Sequence, residues 1–253
     1  MTATRDTLLG GRVVLAQPAR GYRAAIDPVL LAAAVEARRG GPVLDLGCGT
    51  GAVALCLMRR CPGLGVHGVD ADPDAVAAAR ANAAANGLDG ATFGTGDVAD
   101  GPPPAWHGAF AQVAANPPHS RPGTGRESPH AGRRRADVEG DAPLAAWIAF
   151  ALACLPRKGT LTVIHRADRM DGLLAALHHQ GAGDVVMCPL WPRAGRPARR
   201  LLVRARKGVR GGASLAPGLV LHDGGRKYSG AAEAVLRAMA ALDMTAADGG
   251  LAC

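Results

Sequence analysis

Residues 43–53 read VLDLGCGTGAV, an apolar run that holds one acidic residue and then places a glycine at every second position. No other feature constrains the fold as strongly. Residues 43–46 read as a buried strand, and residues 50–60 as a helix that starts in a Gly-rich turn. Glycines let the chain turn tightly and let a ligand approach the backbone without meeting a side chain. Strand and helix signals then alternate along the rest of the chain. Strands are expected at 66–70 (VHGVD), 91–95 (ATFGT), 109–115, 160–165 (TLTVIH), 185–190 and 200–207. Helices are expected at 73–86, closed by Gly87, and at 144–155, 168–180 and 231–242.

Such alternation implies βαβ units and a mostly parallel sheet. The expected architecture is a doubly wound α/β sheet of seven strands, with an antiparallel edge hairpin through WPRAGRPA. Residues 1–40 read as an N-terminal extension and residues 41–253 as the main domain. In the extension, residues 12–16 read as a strand or hairpin arm. Residues 27–38 read as a helix with Asp27 as N-cap and Pro28 at its first position, stopping at Gly40 and Gly41. Residues 119–143 are irregular and rich in Gly, Pro and Arg, and a loop this long in a compact domain is usually functional or mobile.

The chain has 253 residues, 48% hydrophobic and 20% charged, enough to bury a large core without a staple. No apolar run approaches the roughly 20 residues that cross a bilayer, and the N-terminus lacks a signal-peptide pattern. A cytoplasmic protein, not a membrane or secreted one, is expected. The six cysteines form no CxxC and the eight histidines show no zinc-type spacing, so reduced thiols and no metal are expected. His178 and His179 point to different sides of a helix and read as surface. A monomer is expected.

Net charge is +8, from basic residues that are almost all Arg. Arg121, Arg126, Arg133, Arg134 and Arg135 lie in the irregular stretch. Arg193, Arg196, Arg199, Arg200, Arg204, Arg206, Lys207 and Arg210 form a second cluster. Two basic clusters flanking a candidate site fit a phosphate-backbone footprint; solvated Arg standing in for Lys is the plainer alternative.

In open α/β sheets ligands bind beyond the carboxyl ends of the strands. There lie Asp45, Gly47, Gly49 and Gly51, then Asp70 at the end of the second strand and Asp97 after the third. A carboxylate in the position of Asp70 can grip ribose hydroxyls. With Ala52 as its third small residue, the glycine pattern also satisfies the relaxed dinucleotide fingerprint, so a nicotinamide or flavin enzyme is an alternative. Asp45 favours another ligand: an acidic residue two before the first glycine can hold a cationic amino group. S-adenosylmethionine has such a group and a dinucleotide lacks one.

The second chemical element is NPPH, Asn116–Pro117–Pro118–His119, directly after the fourth strand. Each proline fixes its φ and removes an N–H, which makes a stiff loop. The Asn116 side-chain oxygen and the Pro117 carbonyl can both accept from one –NH₂ group. Held that way, the nitrogen leaves conjugation and aims its lone pair at an electrophilic methyl. The effect is positioning plus electrostatics.

These elements together resemble the class I S-adenosylmethionine-dependent methyltransferases acting on planar nitrogens, whose core is Rossmann-like. More narrowly, QPARGYRAAIDPVLLAAAV (17–35), IHRADRMDGLLAAL (164–177) and PLWPRAGRPARRLLVRARKG (189–208) are similar to the bacterial tRNA(Val) adenine-N(6) methyltransferase family. The resemblance runs from about Gly10 to Leu242. It implies a cofactor site of Asp45, Gly47, Cys48, Gly49, Gly51, Asp70, Ala71, Asp97, Val98 and Asn116. It also implies a catalytic loop of Asn116, Pro117, Pro118 and His119, although the family commonly has Tyr or Phe where this chain has His119. Gln17, Tyr22, Arg23 and Asp27 would form a lid, and Arg133, Arg134, Arg135 and Arg199 would meet tRNA. Tyr22 reads equally as an anchor of the extension. The implied reaction is methylation of an adenine amine in tRNA near the anticodon. A protein glutamine methyltransferase, a DNA adenine or rRNA guanine methyltransferase, and a non-catalytic RNA-binding protein are the competing readings.

Overall fold

The computed structural model describes residues 3–19, 23–37, 40–118, 143–245 and 251–252. Its centre is one mixed sheet containing all seven expected strands. They are β3 (Val43–Leu46), β4 (Val66–Asp70), β5 (Ala91–Thr95), β6 (Gln112–Ala115), β7 (Thr160–Arg166), β8 (Ala182–Trp191) and β9 (Arg200–Lys207). Two short strands, β10 (Ala213–Leu215) and β11 (Leu219–Val220), pair in parallel with β8 and bring the sheet to nine. The spatial order is β10-β8-β9-β7-β6-β3-β4-β5. The β8–β9 hairpin is antiparallel as expected, but it is not the edge, because β10 and β11 cover β8. Both are short and β10 is exposed, so neither carries a periodic apolar signal.

The central strands are buried on both faces, and successive residues pack alternately into two core clusters that mark those faces. On one face Val43, Val66, Ala114 and Ile164 pack against α1 (Asp27–Ala34), α2 (Ala52–Arg60) and α3 (Pro73–Ala85), with α6 (Gly230–Leu236) beside them. On the other, Leu44, Leu46, Val113, Ala115 and Val163 pack against α4 (Leu144–Cys154) and α5 (Met170–His179). Helix α1 is apolar all round and buried from Pro28 to Ala34, as expected of a helix inside a core. The chain runs outward from β3 through β4 to β5, then returns to lay β6 on the other side of β3. That reversal is the switch point where such sheets bind ligands.

Three local expectations are corrected. Helix α1 ends at Ala34, with Val35 extended, and Asp27 is its first residue and does not cap it. The Asp27 carboxylate instead accepts from Arg200 Nε at 2.9 Å, a partner 173 residues away. The last helix stops at Leu236, well short of Leu242. Met239 takes φ +62° and turns the chain back, and Ala241–Leu242 pairs as a short strand, burying Leu242 and Met244. The expected helix at 168–180 opens with a 3₁₀ turn over Ala167–Arg169 before α5.

The extension is an antiparallel hairpin of β1 (Ala3–Leu8) and β2 (Val13–Pro18). The polar sequence of β1 carries no strand signal of its own. Two asparagines one helical turn apart, running from α3 into its C-terminal cap, hold β2 in place. Asn86 bonds both the N–H and the C=O of Val14, at 2.9 and 2.7 Å. Asn82 does the same for Ala16, at 2.8 and 3.0 Å, and also donates to the Thr50 carbonyl at 3.0 Å. Side-chain amides thus supply the ladder partners that an edge strand lacks, and they fasten the extension beside the Gly-rich turn.

Candidate active site

The Gly-rich turn is bonded to the end of β4. The N–H groups of Gly47 and Cys48 donate to the Val69 carbonyl at 2.8 and 3.0 Å. The Gly49 N–H donates to Asp70 Oδ2 at 2.8 Å, and the Asp72 N–H to Asp70 Oδ1 at 3.0 Å. Gly47, Gly49 and Gly51 all have positive φ, which favours glycine. A Cβ on Gly47 would lie 2.6 Å from the indole of Trp147, whereas a Cβ on Gly49 would meet nothing within 4 Å. The turn is therefore packed on one side and open on the other.

Sequence reasoning does not single out Trp147. Its only signal is a tryptophan in the first turns of a helix that follows the NPPH loop, in a chain with 3% aromatics.

Asp45 lies under the turn and is 1% exposed, its Oδ2 accepting from the Ala54 N–H in the first turn of α2 at 3.0 Å. Burial pushes its pKa up to about 7; the Ala54 bond opposes the rise and the nearby Asp70 charge adds to it. Burial also raises the Asp70 pKa, against the N–H bonds it accepts. A site with two carboxylates that burial disfavours gains from a cationic ligand and repels a diphosphate. Asp97 is exposed after β5 and caps a short 3₁₀ turn through the Ala99 N–H at 2.9 Å, with Val98 buried beneath it. Ala71 is exposed on the same rim.

Strands β3 and β6 pair in parallel with Leu46 opposite Ala115. The next residues are Gly47 and Asn116, so the Gly-rich turn and the NPPH loop leave the sheet side by side, about 4.8 Å apart between backbones. Asn116 and Pro118 are half-buried and Pro117 is buried. His119, Tyr22, Arg133, Arg134 and Arg135 lie outside the described residues.

The remaining lid residues make internal contacts. Gln17, 2% exposed, accepts from the Ala24 N–H and donates to Asp6, and Arg23 pairs with Asp6. Asp27 and Arg200 join α1 to β9. The second basic cluster also divides. Arg204 pairs with Glu36, Arg206 with Asp184, and Lys207 Nζ donates to the Leu155 carbonyl, while Arg193, Arg196 and Arg199 stay exposed. Among the described residues no group of three or more His, Cys, Asp or Glu could hold a metal, and no helix is long and apolar enough to cross a membrane.

Residues 24–129 match the family described as the methyltransferase small domain. A solved structure of a predicted O-methyltransferase from Agrobacterium tumefaciens superposes with TM-score 0.68 at 23% identity, over 83% of this chain and 94% of that one. The fold is thus that of the Rossmann-like methyltransferases.

Within that class the sequence is similar to curated tRNA1(Val) (adenine(37)-N6)-methyltransferases. The relative from Porphyromonas gingivalis W83 is 34% identical over 158 residues, 60% of this chain and 61% of that protein. The relative from Dickeya chrysanthemi is 28% identical over 217 residues, 83% and 85% of the two chains. The stronger match spans about three fifths of the relative's length.

Proposed function

We propose that the protein transfers a methyl group from S-adenosylmethionine to the exocyclic amine of an adenine in tRNA, near the anticodon. The observation that carries this reading is the register of β3 and β6, which sets Asn116 beside Gly47 on one rim. The similarity to tRNA adenine methyltransferases over most of the chain supports the substrate class.

The open side of the turn at Gly49 and the carboxylates of Asp45 and Asp70 suit a cofactor with an amino-acid cation and a ribose. Asp45, Gly47, Cys48, Gly49 and Gly51 would hold its methionine part, Asp70 and Ala71 its ribose, and Asp97 and Val98 its adenine. Bound there, S-adenosylmethionine supplies an electrophilic methyl. Asn116 Oδ1 and the Pro117 carbonyl would accept the two N–H bonds of the target amine and orient its lone pair. The two prolines hold these acceptors in place beforehand, so little reorganisation accompanies reaction. The amine sheds its proton only after attack, so no strong base is required.

Trp147, lying over Gly47, would wall the pocket on the α4 side. His119 would stack on the base. Tyr22, with Gln17, Arg23 and Asp27, would belong to a lid over it. Arg133, Arg134, Arg135 and Arg199 would meet the RNA backbone. Free thiols at Cys48, Cys56, Cys61, Cys154 and Cys188 suit a reduced cytoplasm, and we read the enzyme as a monomer.

The test is incubation of an unmodified tRNA1(Val) transcript with labelled S-adenosylmethionine, followed by nucleoside mass spectrometry. N6-methyladenosine is the expected product. A protein that binds S-adenosylhomocysteine but methylates a release-factor peptide on glutamine, and not the transcript, would overturn the reading.

A further inference from the structure

Strand β8 runs parallel to β3, β4, β6 and β7, so its carboxyl end, at Trp191, lies on the same rim as Asn116. The hairpin that continues from it, residues 192–199, carries Arg193, Arg196 and Arg199, all exposed. Strand β11 pairs with β8 at Leu190 and Trp191, and so delivers the following segment to that rim as well. The Leu221 N–H donates to the Trp191 carbonyl at 2.8 Å and the His222 N–H to the Pro192 carbonyl at 3.1 Å. Residues 222–228 therefore lie against the hairpin, adding exposed Arg226 and Lys227.

The same segment holds a stacked ring pair. His222 and Tyr228 have centroids 5.5 Å apart at 21°, and Lys227 Nζ lies 5.4 Å from the Tyr228 centroid. Across both segments the acidic residue is Asp223, whose carboxylate accepts from the Arg226 N–H at 2.9 Å. Neighbouring arginines of β9 are taken up by Asp27, Glu36 and Asp184. Arg193, Arg196 and Arg226 instead point their charge into solvent.

We infer that the ridge formed by residues 192–199 and 222–228 is a docking surface for an RNA phosphate backbone, separate from the base pocket. The inference rests on the proposed RNA substrate. From β6 through β7 and β9 to β8 is three strand spacings, about 15 Å at roughly 4.8 Å each. At about 3.4 Å of rise per nucleotide, that is four to five stacked steps along one strand. With the target adenine in the pocket, the ridge meets the backbone of the flanking stem, not the base itself. Phosphate binding of this kind fixes register and orientation and leaves sequence choice to the pocket. Arg193, Arg196, Arg226 and Lys227 against the single carboxylate of Asp223 give the ridge the sign of charge that a nucleic-acid backbone requires.

The variant Arg193→Ala/Arg196→Ala/Arg226→Ala/Lys227→Ala tests this on the full chain, with an unmodified tRNA1(Val) transcript as probe. Affinity should fall about tenfold or more at low salt. The slope of log affinity against log salt should flatten by about 0.7–0.9 for each phosphate that the protein no longer neutralises. Affinity for S-adenosylhomocysteine should stay unchanged, which also reports an intact fold. A second variant, Arg193→Glu/Lys227→Glu, should weaken binding further by repulsion. If the wild type binds the transcript and neither variant changes affinity or slope, the ridge is only solvated and the inference falls, while the proposed function stands. If the wild type itself shows no salt-dependent binding of the transcript, the proposed function and the inference fall together.

Discussion

The Gly49 amide donates to the Asp70 carboxylate at 2.8 Å, joining two motifs that lie 21 residues apart. Asp70 therefore shapes the turn as well as facing the rim. A carboxylate has about four lone-pair sites, so the bonds from Gly49 and Asp72 leave room for ribose hydroxyls. Asp70→Asn keeps an acceptor for Gly49 and loses the charge; Asp70→Ala loses both. By calorimetry, Asn should weaken S-adenosylhomocysteine binding by about 1.5–3 kcal/mol, and Ala by more, with a lower Tm. Unaltered affinity in both variants would remove Asp70 from the cofactor site.

Asn116→Ala should cut single-turnover methyl transfer about 10²–10³-fold, the usual loss for one preorganised hydrogen-bonding group. Cofactor affinity should fall far less than turnover, because Asn116 borders the cofactor from β6 while the carboxylates proposed to hold it lie on β3, on β4 and after β5. Full activity in this variant would remove the catalytic assignment.

Gly47→Ala should destabilise the protein by two separable routes. The added methyl would sit 2.6 Å from the Trp147 ring, and overpacking of this kind costs about 1–3 kcal/mol. The positive φ of +75° adds about 1–2 kcal/mol for any residue with a Cβ. Adding Trp147→Leu should recover the steric part and leave the backbone part. Urea unfolding of the single and double variants separates them, and complete recovery in the double variant would refute the backbone contribution.

Asp45 should make both stability and binding depend on pH. Its folded-state pKa of about 7 lies above the ordinary 3.8. As pH rises between those values the unfolded chain ionises first. The group's contribution is therefore full below about pH 4 and lost by pH 7, about 4 kcal/mol at 1.36 kcal/mol per unit. Asp45→Asn should abolish that slope in urea titrations. The α-ammonium group that the cofactor and its product share favours the ionised form, so S-adenosylhomocysteine should bind more tightly as pH rises toward 7, with release of a proton. Calorimetry in two buffers of different ionisation enthalpy measures that proton, and equal heats in both would contradict the prediction.

The strand–turn–helix of 43–60, the carboxylate ending β4 and the NPP tripeptide after β6 are legible because each is written in contiguous residues. Local turn chemistry and apolar periodicity need no knowledge of the rest of the chain. Strand β1 is not legible, since it is polar and stable only through its pairing with β2 and the asparagines that hold β2. The end of the last helix escapes a sequence reading for a related reason: burial of Leu242 and Met244 overrides the helical preference of an Ala-rich run.

The sequence by itself determined the class of sheet, the order of its main strands along the chain and the residues that reach its carboxyl rim, because these follow from short-range pattern. Only the tertiary structure decided which residues of like type share a task. Asp27 reads as a helix cap and instead holds Arg200. Arg200, Arg204 and Arg206 read as one cluster with Arg193 and Arg196, yet ion pairs with Asp27, Glu36 and Asp184 separate them from the exposed hairpin. Trp147 meets Gly47 across 100 residues of chain. A charge or a ring can be read from its letter, but its partner is set by which strands lie side by side, and pairing across the sheet leaves no mark in local sequence.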